Sequence, residues 1–437
     1  MKQSLKLTDI IALGFMLFAF FLGAGNIIFP PLAGQLAGGR YISAMFGFLL
    51  TAVGLPLLSI IAVGISGGSW QHISRDLPSW VSTLMAVVIF IIIGPAFAVP
   101  RTGLVSYEMA IRPLFHHASH IDLMIFSVVF FILAMMFSWS QGKLIDIIGK
   151  VLTPVLFLGL IILAVGTFLH PQGTIATAHG NYVTDPLSQG FLEGYNTMDT
   201  FAALMFGILM TDAIARRGIT NAKMKTRYLI LASFIAAAGL AFVYISLFYL
   251  GATSASIAPD ANNGGQILSI YVQALFGSSG QWVLSTIVLL ACLTTATGVI
   301  SACADYFNQL TRIDYRIWVL VVGVISAMVA NVGLSELINL SLPALFALYP
   351  VAIALVALTY LRSKLIFPQY TYRIVLSVSL LFALIGAAKS MGINVSIFHF
   401  LPLFSMGLGW LPPTAIAIFV AVLVGQCCSR QSSENIG

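Results

Sequence analysis

LTDIIALGFMLFAFFLGAGNIIFPPLAGQ, residues 7–35, is a membrane-length apolar run that breaks in its own middle. At 1.5 Å per helical residue, Gly23 lies roughly 24 Å beyond Leu7, well inside a hydrocarbon core of about 30 Å. Gly23 and Gly25 flank Ala24, Asn26 brings a polar amide, and Pro30 with Pro31 suits the start of a second half-helix. Backbone left unpaired at that depth is tolerated only where it is buried in protein or lines a cavity. A break of this kind offers carbonyls at the end of one half-helix and amides at the start of the next, which suit a small cation and a carboxylate respectively. The competing reading is a Gly/Pro kink that serves helix packing, and this stretch alone does not separate the two.

Composition makes the setting a membrane. Of 437 residues, 59% are hydrophobic and only 8% charged, with a mean hydropathy of +1.01, so a soluble fold is excluded and no water-soluble domain is visible. The first segment lacks a small-residue cleavage site and further spans follow at once, so it is expected to be retained rather than removed as a signal peptide. The four cysteines (Cys292, Cys303, Cys427 and Cys428) have neither disulfide-framework nor metal-ligand spacing and read as structural. A net charge of +6 would suggest nucleic acid in a soluble protein, but here the sidedness of the charges is what matters, and no nucleic-acid partner is expected.

Apolar runs cut by polar or Gly/Pro clusters predict an all-α polytopic protein of about twelve transmembrane helices: 9–34, 41–65, 80–108, 121–138, 147–169, 189–212, 227–250, 279–305, 315–331, 335–360, 373–389 and 411–427. Placing the N-terminus in the cytoplasm leaves only Arg40, Arg112 and Lys389 outside and Arg101 within a span, with the other sixteen of 20 Lys and Arg inside. The positive-inside rule therefore predicts that both termini are cytoplasmic. Residues 391–410, with Pro402 and several glycines, read as an outer loop or re-entrant piece. The sixth span, SQGFLEGYNTMDTFAALMFG, resembles the first in being interrupted at mid-depth, by Glu193, Asn196, Thr197 and Asp199. Ionisable groups there usually face a cavity. Short strings at 102–106 (TGLVS) and 297–301 (TGVIS) add a second likeness between halves. With five spans per half, equivalent helices run in opposite directions, as an inverted repeat requires. The expected division is 1–170 for the first repeat, 171–362 for the second, and 363–437 for two further helices and a cytoplasmic tail.

Other stretches carry candidate chemistry. In the eighth span, Thr294 and Thr295 place adjacent hydroxyls about halfway through the membrane; with carbonyls from a broken helix they would make a neutral oxygen cage for a hard monovalent cation. Alternatively they bond their own i−4 carbonyls or glue helices together. The third span holds GPAFAVPR, residues 94–101, in which Arg101 is either a gate or substrate anchor near the outer vestibule or a snorkelling residue paired with an acid such as Glu108. The tenth span, with PALFALYP at 343–350, reads as a kinked packing helix from which Glu336 and Asn339 could reach an outer cavity. His116, His117 and His120 cluster in an outer loop, where a metal site is the weaker reading. The chain has no Walker A string, nucleophile elbow or HExxH motif, so it reads as neither an enzyme nor an ATP-driven pump, and no ATPase subunit is expected.

FFLGAGNIIFPP in the first span, GPAFAVPRTG in the third, GYNTMDTFAALMFG in the sixth and PALFALYP in the tenth together resemble the bacterial branched-chain amino acid:cation symporters, over essentially the whole chain. That family is similar in fold to the sodium-coupled leucine transporter, which implies a 5+5 inverted repeat with broken helices 1 and 6 plus two extra helices. The resemblance implies one sodium at the carbonyls of Ala19, Leu22 and Ala291 with the hydroxyls of Thr294 and Thr295. A second cation is implied at Asn26 and Thr197, although Glu193 and Asp199 depart from that fold's uncharged pattern and leave a proton open in its place. It implies a substrate carboxylate at the amides of Ala24, Gly25 and Asn26, next to Gly23. The ammonium would meet carbonyls near Phe21 and at Asn196 to Thr197, and the apolar side chain would lie against Pro95, Val99 and Phe201. The function it implies is import of leucine, isoleucine or valine by sodium symport across the bacterial inner membrane, with sodium as coupling ion, no other cofactor, and Arg101, Glu193 and Asp199 as gating or coupling candidates. A proton-coupled permease of the same fold is the alternative, with a channel or membrane-embedded enzyme behind it.

Overall fold

The computed structural model describes residues 4–114, 120–139 and 153–434. Among these, all regular structure is helical. The first span is two helices, α1 (Leu7–Phe21) and α2 (Ala24–Ala37), separated by Leu22 and by an extended Gly23 at φ −113°, ψ −166°. In a continuous helix the Gly23 N–H would donate to the Ala19 carbonyl; here it donates to Asn26 Oδ1 at 3.1 Å. Asn26 thus caps α2, and the carbonyls ending α1 are left without helical partners. The helix resumes immediately after the break, so Pro30 and Pro31 lie inside α2 rather than at its start. The cap supplied by Asn26 makes a proline start unnecessary.

The chain continues through α3 (41–66), bulged at Leu50–Gly54, and α4 (Ser79–Ile111). Within α4, Gly94 leaves helical geometry at ψ −114° immediately before Pro95, a kink with an identifiable cause. α5 (His120–Ser138) and α6 (Thr153–Leu169) follow. The sixth span is α7 (Pro186–Thr197) and α8 (Asp199–Arg216), bent by 42° at Met198, which takes the left-handed conformation at φ 62°, ψ 13°. α9 (Ala222–Ala252) is continuous. The stretch between the seventh and eighth expected spans, 251–278, contains a helix, α10 (264–276), which turns at Gly277 (φ 64°) into α11 (278–311). Four last helices are α12 (Tyr315–Val329), α13 (Leu334–Leu361), α14 (Pro368–Ser390) and α15 (Leu411–Glu434).

Each of the twelve expected segments therefore contains a helix, the fifth from Thr153 onward, its first residues lying outside the described ones. Eight helical stretches, nine if the bent α7–α8 pair counts as one, are long and apolar enough to cross a membrane, and α1, α6 and 411–424 are shorter apolar helices. Residues 391–410 form a loop with one short turn at Ser396–Phe398, packed down by buried Phe404, Leu408 and Trp410.

Lipid gives helices no hydrophobic reason to associate, so backbone approach at small residues does the work. Two pairs of glycines face each other. A Cβ on Gly47 of α3 would lie 2.0 Å from the Leu187 carbonyl oxygen, and one on Gly190 of α7 would lie 1.9 Å from that of Ala44. Likewise a Cβ on Gly34 of α2 would come within 2.2 Å of the Phe248 oxygen, and one on Gly251 of α9 within 2.0 Å of that of Pro31. These contacts clamp each broken span to a continuous helix. Connections gather at two ends. Gly39 N–H donates to Ala176 (2.9 Å), His179 N–H to Leu36 (2.8 Å) and Gln35 Nε2 to Ala258 (2.9 Å) at one end. At the other, Arg362 forks onto Asp76 at 2.6 and 3.1 Å, Thr226 reaches Gly64 and Leu5 meets Tyr228.

Candidate functional site

The two breaks meet. Thr295 on α11 donates to the Leu22 carbonyl at 3.1 Å, with that of Ala19 at 3.4 Å, the oxygens that the capped Gly23 has released. The Thr295 methyl would touch a Cβ on Gly23 at 3.0 Å. Thr294 and Ala291 of α11 are buried, but the hydroxyl that reaches α1 is that of Thr295. The resulting set is made of neutral oxygens, the donor type that hard cations take.

Beside it stands an acid cluster at the start of α8. Asp199 is 2% exposed, and its Oδ2 accepts from Asn26 Nδ2 at 2.6 Å and from the Tyr244 hydroxyl at 2.8 Å. Asn26 also contacts the Tyr244 hydroxyl directly. A buried carboxylate is tolerable when paired and hydrogen-bonded, and the amide end of α8 favours it further. Thr197 donates to the Gly194 carbonyl at 2.9 Å and accepts from Asp199 N–H at 3.4 Å, which ties the turn together. Asn26 and Thr197 thus both adjoin Asp199. Tyr244, which joins them, carried no signal in the sequence, because one tyrosine in an apolar span is unexceptional.

Arg101 lies between the breaks, and only 4% of it is exposed. Its Nη1 donates to the Asn196 carbonyl at 2.8 Å, and its guanidinium carbon sits 5.2 Å from the Phe29 ring centroid. A Cβ on Gly25 would lie 2.8 Å from Arg101 Nη2 and 3.1 Å from the Asn196 oxygen. Of the two readings of Arg101, the snorkelling residue paired with Glu108 fails: Glu108 pairs with Arg112 at 2.6 Å, one turn on and just past the end of α4, and Arg101 is buried. Phe201 packs on Tyr349 with centroids 4.6 Å apart, and Tyr349 stacks on Tyr195 at 4.2 Å, which makes an aromatic wall beside the α7–α8 break. Phe21 packs on Phe206 of α8, with centroids 5.9 Å apart. Val99 is fully buried one turn from the kink, while Pro95 lies in a turn that packs mainly against α12 and α4 itself.

Glu193 is not at the breaks. It lines a separate cavity of about 340 Å³ and accepts from Asn196 Nδ2 at 2.9 Å and Gln189 Nε2 at 3.3 Å. Glu336 and Asn339 do not reach that cavity; Leu342 and Phe346 of α13 do. His116 and His117 lie outside the described residues, among which no group of three His, Cys, Asp or Glu is placed to hold a metal.

A family model described as branched-chain amino acid transport protein matches residues 6–427. Among curated proteins, the chain is 46% identical to the branched-chain amino acid transport system 2 carrier protein of Pseudomonas aeruginosa, over 96% of each chain. It is 41% identical to the branched-chain amino acid permease BrnQ of Escherichia coli K12 over 100% of each, and 38% identical to the permease BraB of Bacillus subtilis over 97% of each. Among solved structures it is similar to MhsT in complex with L-phenylalanine, with TM-score 0.59 and 16% identity over 94% of this chain and 98% of that one. It is also similar to a Na+-coupled sialic acid symporter, with TM-score 0.62 and 14% identity over 96% and 90%. At such identities these two speak for the fold alone.

Proposed function

The chain belongs to the branched-chain amino acid transport protein family, and from that premise we propose that it imports leucine, isoleucine and valine by sodium symport. It is a multi-pass bacterial membrane permease for branched-chain amino acids, not an enzyme. In the mechanism we propose, the two broken spans hold the cargo at mid-membrane while the surrounding helices rock to open one end and then the other. The amides opening α2 at Ala24, Gly25 and Asn26 take the substrate carboxylate, with the Arg101 guanidinium beside Gly25 as a second positive partner. The carbonyls at Asn196 and the end of α1 take the ammonium, and the wall of Phe201 and Tyr349 takes the branched side chain. A methylene in such a pocket is worth only about 1–3 kcal/mol, so discrimination among the three substrates is modest.

The observation that carries sodium coupling is the Thr295 hydroxyl bonded to the Ala19 and Leu22 carbonyls. Those oxygens, with Thr294 and the Ala291 carbonyl, fit a sodium ion carried as co-substrate, which would link ion and substrate binding through one broken helix. A second reading, proton coupling, draws on Asp199, a titratable group buried against the same break. Leucine uptake into proteoliposomes of the purified protein separates them. A sodium gradient alone should drive accumulation, and Asp199→Asn should keep that response. Accumulation driven only by a proton gradient and lost in Asp199→Asn would establish the second reading. Inner-membrane location with cytoplasmic termini belongs to the same proposal.

A further inference from the structure

α9 is longer than a membrane span requires. Its 31 residues rise about 46 Å at 1.5 Å each, against a hydrocarbon core of about 30 Å. The stretch from Leu231 to Leu250 carries no charged residue and is long enough to fill that core. The first two turns of α9, with Lys223, Lys225 and Arg227, therefore stand beyond the hydrocarbon, Arg227 at headgroup depth and Lys223 one turn above it. Arg216 at the end of α8 and Arg217 beside it bring the cations between 216 and 227 to five. Sidedness accounts for cations at this end of the molecule, but not for where these stand. Cations at a helix N-terminus oppose the helix dipole, and like charges one turn apart repel. The first turn of α9 has no acidic residue to offset them, and among the described residues no carboxylate is placed to pair with Arg216, Lys223, Lys225 or Arg227. The amides that open α9 are already taken, since Asn221 accepts from the N–H groups of Lys223 at 2.9 Å and Met224 at 3.3 Å. A compensating anion must be met by side chains.

Lys223 and Arg227 are exposed, and so are Leu231, Phe234, Ala238 and Ile245, which continue their face along α9. Spacings of three, four and seven keep these residues in one line on a helix. Other sides of α9 are occupied: Thr226 donates to the Gly64 carbonyl of α3 at 3.0 Å, and the Tyr228 hydroxyl accepts from Leu5 N–H at 2.9 Å. One line of α9 thus runs, from the headgroup layer inward, through two unpaired cations and then through apolar side chains that face the bilayer.

We propose that this line is a site for one anionic phospholipid, its phosphodiester held by the Arg227 guanidinium and the Lys223 ammonium, and one acyl chain lying along Leu231, Phe234 and Ile245. Charge complementarity selects the headgroup. The planar fork of Arg matches phosphate and Lys supplies a second charge, and a headgroup of net negative charge satisfies both where a zwitterionic one brings its own ammonium. Continuity of the cations with the bilayer-facing apolar stripe selects a lipid over a soluble anion. α9 is also the helix clamped to α2 at Gly34 and Gly251, so the lipid binds the element against which the first broken span is held.

Native mass spectrometry of the detergent-solubilised full-length protein, titrated with phosphatidylglycerol or with phosphatidylcholine of the same chains, tests this. The first phosphatidylglycerol should bind about ten-fold or more tighter than the first phosphatidylcholine, the scale expected of two cations at an anionic headgroup. Lys223→Gln combined with Arg227→Gln should abolish that preference. Lys364→Gln combined with Arg373→Gln, the same loss of charge after α13 and at the start of α14, should keep it. Folding is read separately: without added lipid the Lys223→Gln, Arg227→Gln protein should melt no lower than the parent, because the change relieves charge at a helix N-terminus, and phosphatidylglycerol should raise the melting temperature of the parent but not of this variant. Equal affinity of the parent for the two lipids, or the same loss of preference in the Lys364→Gln, Arg373→Gln control, would overturn the site. A lower melting temperature without lipid would mean that the cations serve the fold, and would overturn it too. Displacement of the bound lipid by an equimolar amount of glycerophosphoglycerol, which has the headgroup and no chains, would overturn a lipid as the occupant.

Discussion

Thr294 and Thr295 are adjacent and alike in the sequence, yet they differ in what they touch. Only Thr295 reaches the Ala19 and Leu22 carbonyls. Replacing it by Val removes an oxygen at nearly constant volume, so the loss falls on ion affinity more than on folding. Thr295→Val should raise the sodium concentration for half-maximal leucine uptake by about ten-fold, the effect of losing about 1.4 kcal/mol, with Thr294→Val giving a smaller shift. Equal and parental sodium dependence in both would place the ion elsewhere. Gly25 makes a second test, because any side chain there meets Arg101 and the Asn196 carbonyl at once. Gly25→Leu should abolish leucine uptake while the protein still inserts and purifies as a monodisperse species. The Gly-Ala-Gly-Asn string announced a break, but not that Asn26 would cap it. Nor could the partners of Arg101 be read from its neighbours in α4, because they come from α2 and α7, seventy or more residues away in sequence.

Broken helices were legible because a glycine pair or a run of polar residues in hydrocarbon has few explanations. Less legible was α10: its apolar positions Ile267, Leu268, Tyr271 and Val272 have helical spacing, but the stretch is too short and too close to polar loop residues to stand out as a span. The α7–α8 break depends on Met198 holding a left-handed conformation, which costs a non-glycine residue about 1–2 kcal/mol. Because the Met198 side chain is also buried in the core, Met198→Gly relieves that strain but opens a cavity and should lower thermal stability, and Met198→Val, branched at Cβ, should lower it too and weaken leucine binding. A melting curve and a binding isotherm on the same preparations decide this. An unaffected Met198→Val protein would mean the turn adjusts freely and does not set the site.

At the scale of the whole molecule, the loops gather at the two ends that the charge count assigns, and one contact stands out at the end opposite the 391–410 loop. Arg362, at the end of α13, forks onto Asp76, between α3 and α4. Bidentate pairing of this kind holds two elements in one arrangement. Asp76→Asn should therefore increase the accessibility of cysteines introduced along the path from that end, as read by thiol labelling, without abolishing leucine binding. Unchanged labelling would show that the pair is ornamental to the transport cycle. A reporter fused after Arg430 should be active only in its cytoplasmic form. The glycine pairs that hold α2 to α9 and α3 to α7 were invisible in the sequence until their partners were known. Those pairs have a consequence for the cell that keeps this protein in its membrane. Where Gly34 and Gly251 bring α2 and α9 together, the backbones approach too closely to admit even a methyl group, so an idle transporter is expected to leak neither protons nor sodium along that seam. Widening it would appear first as a drain on the membrane's ion gradients, before any loss of cargo.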